Sequence, residues 1–241
     1  MSGSLSTSAG AAKGATTMGD RPADVRVRDF KEVDTGLSAD EAIAEAERCL
    51  QCKKPLCVKG CPVCIDIPAF IREVAEGDFP GAARTLKEQN MLPAICGRVC
   101  PQETQCEGAC VLGIKETPIR IGALERFVAD WERQNGAELP KTARPTGKRV
   151  AVVGSGPAGL TAAAELARAG HAVTIFESLH EAGGVLTYGI PAFRLPKDVV
   201  KAEINQVLAL DVRLKKNYLV GRSVSVDELL GYDAVFLATG A

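Results

Sequence analysis

The sequence predicts an α + α/β protein, with an N-terminal all-α unit followed by an incomplete Rossmann-like unit. Three observations carry this. Apolar residues recur at helical spacing from Ser38 to about Gln134. A stretch bearing Gly136, Pro140, Pro145 and Gly147 then breaks the pattern. Beyond it, strand, Gly-rich loop, Ala-rich helix and strand follow in turn, a βαβ order that only a parallel sheet uses. The expected divisions are a disordered leader over 1–27, a helical unit over 28–140 and an α/β unit over 148–241.

The leader to about Asp20 is mostly Ser, Gly, Ala and Thr. It has almost nothing to bury, and it lacks the apolar segment of a signal peptide. Ser38-Ala39-Asp40-Glu41 is a capping box, and its helix runs to Leu50, delivering Cys49 and Cys52 at its end. Asp66 to Glu76 reads as a second helix, with Ile67, Phe70, Ile71 and Val74 on one face. Gly77 punctuates, and Asp78 to Gln89 reads as a third helix. Cys96 to Cys110 reads as loop with short helical pieces. Pro118 to Gln134 is amphipathic, with Ile121, Leu124, Val128 and Trp131 as its apolar stripe. In the second unit Arg149–Val153 is a strand, Ala158–Ala169 a helix ended by Gly170, and Ala172–Phe176 a strand. A helix over about 197–210, a strand near 212–214, a capped turn at Ser225–Glu228 and a strand over 234–237 complete it.

The 29 basic and 30 acidic residues nearly cancel and are scattered, so nothing points to nucleic acid. No apolar run approaches the ~20 residues of a membrane span. The lack of an export signal argues for a cytoplasmic, reducing compartment, where paired disulfides are rare and dense cysteines hold metal or carry redox chemistry.

Gly154, Gly156 and Gly159 form G-x-G-x-x-G between strand and helix. They permit a tight turn, close approach of a pyrophosphate and close helix–strand packing. Ser155, Pro157 and Ala158 complete the loop, which leads into a helix N-terminus suited to phosphate. Glu177 ends the second strand, where a carboxylate accepts from an adenosine ribose hydroxyl. The register of all these parts favours a dinucleotide over a chance Gly-rich turn. The G-P-A-G variant and Ala238-Thr239-Gly240 favour FAD over NAD.

Eight of the nine cysteines fall into two groups: Cys49, Cys52, Cys57 and Cys61, then Cys96, Cys100, Cys106 and Cys110. Four thiolates suit tetrahedral zinc. Yet Cys61-Pro62 and Cys100-Pro101 place Pro after Cys, as in ferredoxin runs, where that cysteine serves the other cluster. Beside a flavin fold this favours two [4Fe–4S] clusters.

Several stretches together resemble the NADPH-oxidising small subunit of the glutamate synthase family. They are Arg48-Cys49-Leu50-Gln51-Cys52, Cys61-Pro62-Val63, Gly97-Arg98-Val99-Cys100-Pro101, Gly154–Leu160 and Gly183–Pro191. The family includes the large subunit of the electron-bifurcating NADH-dependent ferredoxin:NADP oxidoreductase and the N-terminal half of dihydropyrimidine dehydrogenase. The resemblance covers roughly 28–241. It implies a crossed ligand set, with Cys49, Cys52, Cys57 and Cys110 on one cluster and Cys61, Cys100 and Cys106 on the other. The matching eighth ligand is Glu125. Spacing alone reads Glu125 as a carboxylate at the edge of the stripe reaching water. Cys96 matches a non-ligand, and Cys64 reads as a small buried hydrophobe. Either is the substitute should Glu125 not serve.

The resemblance further implies that Gly184 lets backbone pass close to the flavin and that Arg194 contacts it. His171 and His180 read as surface histidines, and Lys53 and Lys54 as a solvated face. The expected protein is an FAD and iron–sulfur oxidoreductase subunit, passing electrons from NADPH through FAD and two clusters to a partner, with no essential acid or base. The partner is a glutamate synthase large subunit, where 2-iminoglutarate is reduced, or a small flavin/iron–sulfur subunit in a bifurcating hetero-oligomer. The alternative of another class is an electron-transfer or scaffold subunit with a vestigial flavin site. These 241 residues hold no second G-x-G-x-x-G/A. They read as a fragment without the NADPH domain, retaining flavin weakly.

Overall fold

The computed structural model describes residues 19–240. The expected leader lies outside the described residues up to residue 18. Residues 19–27 depart from it. They form a single helical turn, α1 (Ala23–Arg26), Asp20 bridges to Asp34, and Arg21 grips Asp29 at 2.8 Å. Polar pairing orders a segment that apolar content alone leaves out.

α2 (Ala39–Ala46) starts at the predicted capping box: Ser38 Oγ accepts from the Glu41 N–H, and the Glu41 carboxylate accepts from the Ser38 N–H at 2.8 Å. It ends earlier than the pattern suggests, so Cys49 and Cys52 leave on a loop, where Gln51 takes φ 48°. The unpredicted α3 (Leu56–Gly60) follows. α4 (Ile67–Ala75) and α5 (Phe79–Lys87) match expectation, capped by the side chains of Asp66 and Asp78. α6 (Pro93–Val99) takes in Cys96, at the head of the stretch read as loop with short helical pieces, and begins before it. Its N1 proline and the buried Ala94 and Ile95 start it three residues before that cysteine. Short 3₁₀ turns at Gln102–Thr104 and Val111–Ile114 lead to α7 (Ile121–Asn135).

The second unit runs β1 (Arg149–Val153), α8 (Pro157–Arg168), β2 (Ala172–Glu177), α9 (Val185–Tyr188), α10 (Lys197–Leu208), β3 (Arg213–Lys216), α11 (Val226–Leu230) and β4 (Ala234–Leu237). The four strands pair in the order β3-β2-β1-β4, all parallel, with Val150 opposite both Val173 and Ala234. The central strands β1 and β2 are nearly continuous apolar runs because both their faces are covered.

One core fills the helical unit around Phe70, Ile71, Leu86, Leu124 and Val128. One face of the sheet packs Val152 and Ile175 against α8 and α10. Met91, Leu92, Ala94, Ile95 and Ala129 of the helical part join this same core. The exposed stretch after α7 therefore separates the two units along the chain, but the packing runs across it. A buried polar contact crosses the junction: Glu203 of α10 accepts from the Ala94 N–H at 3.2 Å, beside the Lys87–Glu132 pair of the helical unit at 2.6 Å. Among the described residues no helix is long and apolar enough to cross a membrane.

Candidate functional site

The first thiol group lies where α2 ends and α7 begins. Glu45, fully buried on α2, accepts from Arg48 at 2.6 Å and from the Arg120 N–H at 3.0 Å. Arg48 also donates to the Thr117 carbonyl at 2.6 Å. These bonds hold the Cys49–Cys52 loop against the segment that follows Cys110. Cys49, Cys52, Cys57 and Cys110 line one small hollow, walled by Ile67, Ile71 and Ile121. Burial pushes the Cys57 thiol up to about 11, with the neighbouring Cys110 and Cys49 adding in the same direction.

Cys61 does not join them. It caps α3 with extended backbone (φ −88°, ψ 121°) and so turns away from the helix face that carries Cys57. A β-carbon on Gly60 would stand 2.6 Å from the Gln105 carbonyl oxygen. That contact seats α3 on the 105–109 segment and brings Cys61 beside Cys106. Burial pushes Cys106 up to about 12, with Glu107, Glu125 and Cys61 contributing. Glu107 accepts from the Gly122 N–H at 2.9 Å, which ties the Cys106 loop to the first turn of α7. Gln102 donates to the Cys96 carbonyl at 3.0 Å, which ties the same loop to α6.

Glu125 is 6 % exposed, so the reading in which it reaches water from the edge of its stripe is corrected: α6 covers it. Burial raises its carboxyl to about 8, helped by the nearby Cys100. Its hydrogen bond comes from Asn90 at 2.8 Å, and among the described residues no cation pairs with it. A hydrogen bond from the Cys96 thiol pulls Cys100 down to about 7, while Cys96 itself is raised by that bond and by burial. A carboxyl buried among thiols ionises only beside a positive charge, and iron, which deprotonates its thiol ligands, would supply one. Among the described residues no three His, Cys, Asp or Glu side chains converge tightly enough to hold a single metal ion. Ligands to a four-iron cluster stand apart, because each binds its own iron. Cys64 is corrected from buried to exposed: it sits in a turn at φ 54° and lines neither group.

The Gly-rich loop lies at the C-terminal ends of β1, β2 and β4, where open α/β sheets take their ligands. A β-carbon on Gly159 would stand 2.1 Å from the Gly154 carbonyl oxygen, so α8 packs on the loop only with glycine there. A β-carbon on Gly156 would meet open space instead, leaving room for a group to approach the backbone. Gly156, Pro157, Ala158, Glu177, Gly184 and Ala238 line one groove. Ala238 donates to the Val153 carbonyl at 2.8 Å, so the Ala238-Thr239-Gly240 segment completes the floor of that groove.

Ser155 faces inward, fully buried. Its N–H and Oγ donate to Glu177 Oε2 at 3.0 and 2.5 Å, and its Oγ accepts from the Gly183 N–H at 3.1 Å. Glu177 Oε1 accepts from the Leu179 N–H at 2.8 Å and from Ser178 Oγ at 3.3 Å. Burial raises the Glu177 carboxyl, but these donors outweigh it and the net shift is downward. The residue is held ionised and aimed along the groove.

Arg194 stands apart from this groove. It is exposed, on a separate hollow with Arg98, Arg126 and Glu32. Lys53 and Lys54 are exposed. His171 meets Thr146 at 2.7 Å and His180 lies by Tyr188, and neither lines the groove. Sequence reading missed Asn90, whose partner on α7 is 35 positions away. The only local signal is an Asn three residues before a helix that starts with Pro, the pattern of an Asx turn.

Two family models match. Residues 26–137 match dihydropyrimidine dehydrogenase domain II, 4Fe-4S cluster, and residues 148–241 match pyridine nucleotide-disulphide oxidoreductase. The glutamate synthase [NADPH] small chain of Escherichia coli K12 is 40% identical over 222 residues, 91% of this chain and 47% of that one. The small chain of Azospirillum brasilense is 39% identical over 223 residues, 91% of this chain and 46% of that one. The E. coli K12 NAD-dependent dihydropyrimidine dehydrogenase subunit PreT is 42% identical over 198 residues, 82% of this chain and 48% of that one. The chain spans about half the length of these relatives.

Proposed function

The chain belongs to the glutamate synthase small-chain family, and from that premise we propose that it is the cofactor-bearing part of an NADPH-oxidising subunit. FAD binds on the Gly154–Gly159 loop, and two [4Fe–4S] clusters sit in the helical unit. Cys49, Cys52, Cys57 and Cys110 hold one cluster; Cys61, Cys100, Cys106 and Glu125 hold the other. When bound, the flavin accepts electrons as a hydride pair and the clusters carry them singly.

The chain's own residues bind, orient and seal. The N-terminus of α8 and the open backbone at Gly156 receive the pyrophosphate. Glu177 accepts from a ribose hydroxyl in place of the Ser178 contact, which is the longest of its four at 3.3 Å. α6, which Cys100 directly follows, packs on α10, so the second cluster is the one beside the α/β unit. Apolar side chains make up most of the wall around the first cluster. The observation that carries the reading is the packing of Cys110 with Cys49 and Cys57, rather than with the cysteines nearest it in the chain.

The electron acceptor is a partner subunit, and the small-chain relatives point to a glutamate synthase large subunit. A second acceptor is favoured by the 42% identity to PreT, whose name assigns it to a dihydropyrimidine dehydrogenase. Metal and flavin analysis of the full-length protein, purified without oxygen, tests the cofactor reading. About eight irons and one FAD per chain are expected; zinc, or four irons, overturns it. NADPH oxidation that depends on glutamine and 2-oxoglutarate once the large subunit is added identifies the first acceptor. Oxidation coupled to a pyrimidine identifies the second.

A further inference from the structure

Asn90 lies between α5 and α6 and is 7 % exposed. Its side chain works in two directions. Oδ1 accepts from the Leu92 N–H at 2.9 Å, and the Cys96 sulfur stands 3.7 Å from it. A backbone N–H only donates, so the amide oxygen must face Leu92 and the amide nitrogen must face away. On that other side Nδ2 donates to Glu125 Oε1 at 2.8 Å. The orientation of the amide is therefore set by the chain turn, independently of Glu125.

We propose that Asn90 is a positioning residue for the second cluster: its amide holds one carboxylate oxygen of Glu125 and turns the other toward Cys61, Cys100 and Cys106 as a single iron ligand. The inference rests on the two-cluster reading and deepens it. A glutamate on a helix has three rotatable bonds, and a carboxylate with no donor turns toward water or takes a proton. A fixed amide donor removes both escapes. Oε2 accepts no hydrogen bond among the described residues, so it is the oxygen left for iron. Cys96 shares the arrangement. Its thiol stands between Asn90 Oδ1 and the Cys100 sulfur, which gives this non-ligand cysteine a place behind the cluster. Outer groups that orient a ligand typically change metal affinity 10–100-fold when removed.

Mössbauer spectra of the full-length, iron-isotope-labelled protein test this. Asn90→Asp keeps an acceptor for the Leu92 N–H but replaces the donor facing Glu125. Asn90→Ser keeps an acceptor for the turn and is too short to reach Glu125. Both variants, like Glu125→Ala, should alter the subspectrum of about one iron in eight, leaving the other subspectra and the flavin absorbance unchanged. Iron release to a chelator from one cluster should quicken by roughly tenfold. If Glu125→Ala alters that subspectrum while both Asn90 variants match wild type, the positioning role is overturned and the ligand reading stands. If Glu125→Ala changes nothing, the ligand reading itself fails. Joint loss of both clusters and flavin in both Asn90 variants marks a general folding role and also overturns the proposal.

Discussion

Gly97 and Arg126 touch backbone to backbone: a β-carbon on Gly97 would stand 2.6 Å from the Arg126 nitrogen and 2.8 Å from its α-carbon. This contact seats α6 on α7 and brings Cys100 within electrostatic reach of Glu125. Charged pairs on the far side hold the same crossing. Arg98 bonds Glu32 and Asp130, each at 2.7 Å, and Arg126 bonds Asp34 at 2.8 Å.

Gly97→Ala should therefore push the two helices apart. Overpacking of this kind costs about 1–3 kcal/mol, which predicts a lower Tm. It also predicts loss of half the iron, from the cluster that contains Cys100, while FAD binding persists. Thermal melts and iron-to-flavin ratios measure both effects.

Cys110 packs with Cys49 and Cys57 across some fifty residues of sequence. Cys110→Ser and Cys49→Ser should remove the same spectral component, and the double variant should lose no more iron than either single one. Cys64→Ser should leave both clusters intact, because Cys64 is exposed and lines neither group. Additive iron loss in the double variant would contradict the crossed arrangement.

Ser155 spans the loop, Glu177 and Gly183. Ser155→Ala leaves the Gly183 N–H without its hydroxyl partner and strips one donor from Glu177. Removing such a buried bond costs about 1–3 kcal/mol, so FAD affinity should fall by roughly tenfold or more, read by flavin fluorescence on titration. The cluster spectra should not change.

Glu203 is buried at the junction of the two units, near Lys87, Glu132 and Arg98, and burial raises its carboxyl from 4.5 to about 8. The folded state thus holds this proton more tightly than the unfolded chain. Between those two values stability falls as pH rises, and above about 8 the loss is complete. Glu203→Gln cannot ionise and still accepts from the Ala94 N–H. It should match wild type near pH 4 and be more stable at pH 8, by on the order of a few kcal/mol at ~1.4 kcal/mol per unit. Denaturant melts at several pH values decide this, and an advantage that does not grow with pH would refute it.

Local chemistry was legible in the chain. The capping boxes at Ser38 and Ser225 form with both arms, because each needs only residues three apart. The βαβ order and the place of Glu177 at the end of β2 were legible for the same reason: period and punctuation are short-range signals. The short helical pieces expected after Cys96 are present, but the start of α6 at Pro93 was not legible, because α6 is stabilised by burial against α7 and α10 more than by its own seven residues.

The rest depended on contacts distant in sequence. The chain alone shows two runs of cysteines in order. Packing of α3 on the 105–109 segment sends Cys61 to one side and leaves Cys57 with Cys110 on the other. Spacing places Glu125 on the inward edge of a helix, but only the seat of α6 on α7 buries it and supplies Asn90 as its donor. The linker after α7 reads as a boundary, yet Met91–Ile95 pack into the core of the α/β unit. Sequence determined which chemical groups are present and which local turns carry them. Tertiary packing decided which groups meet, because burial and close backbone approach are sums over neighbours that no single stretch of chain contains.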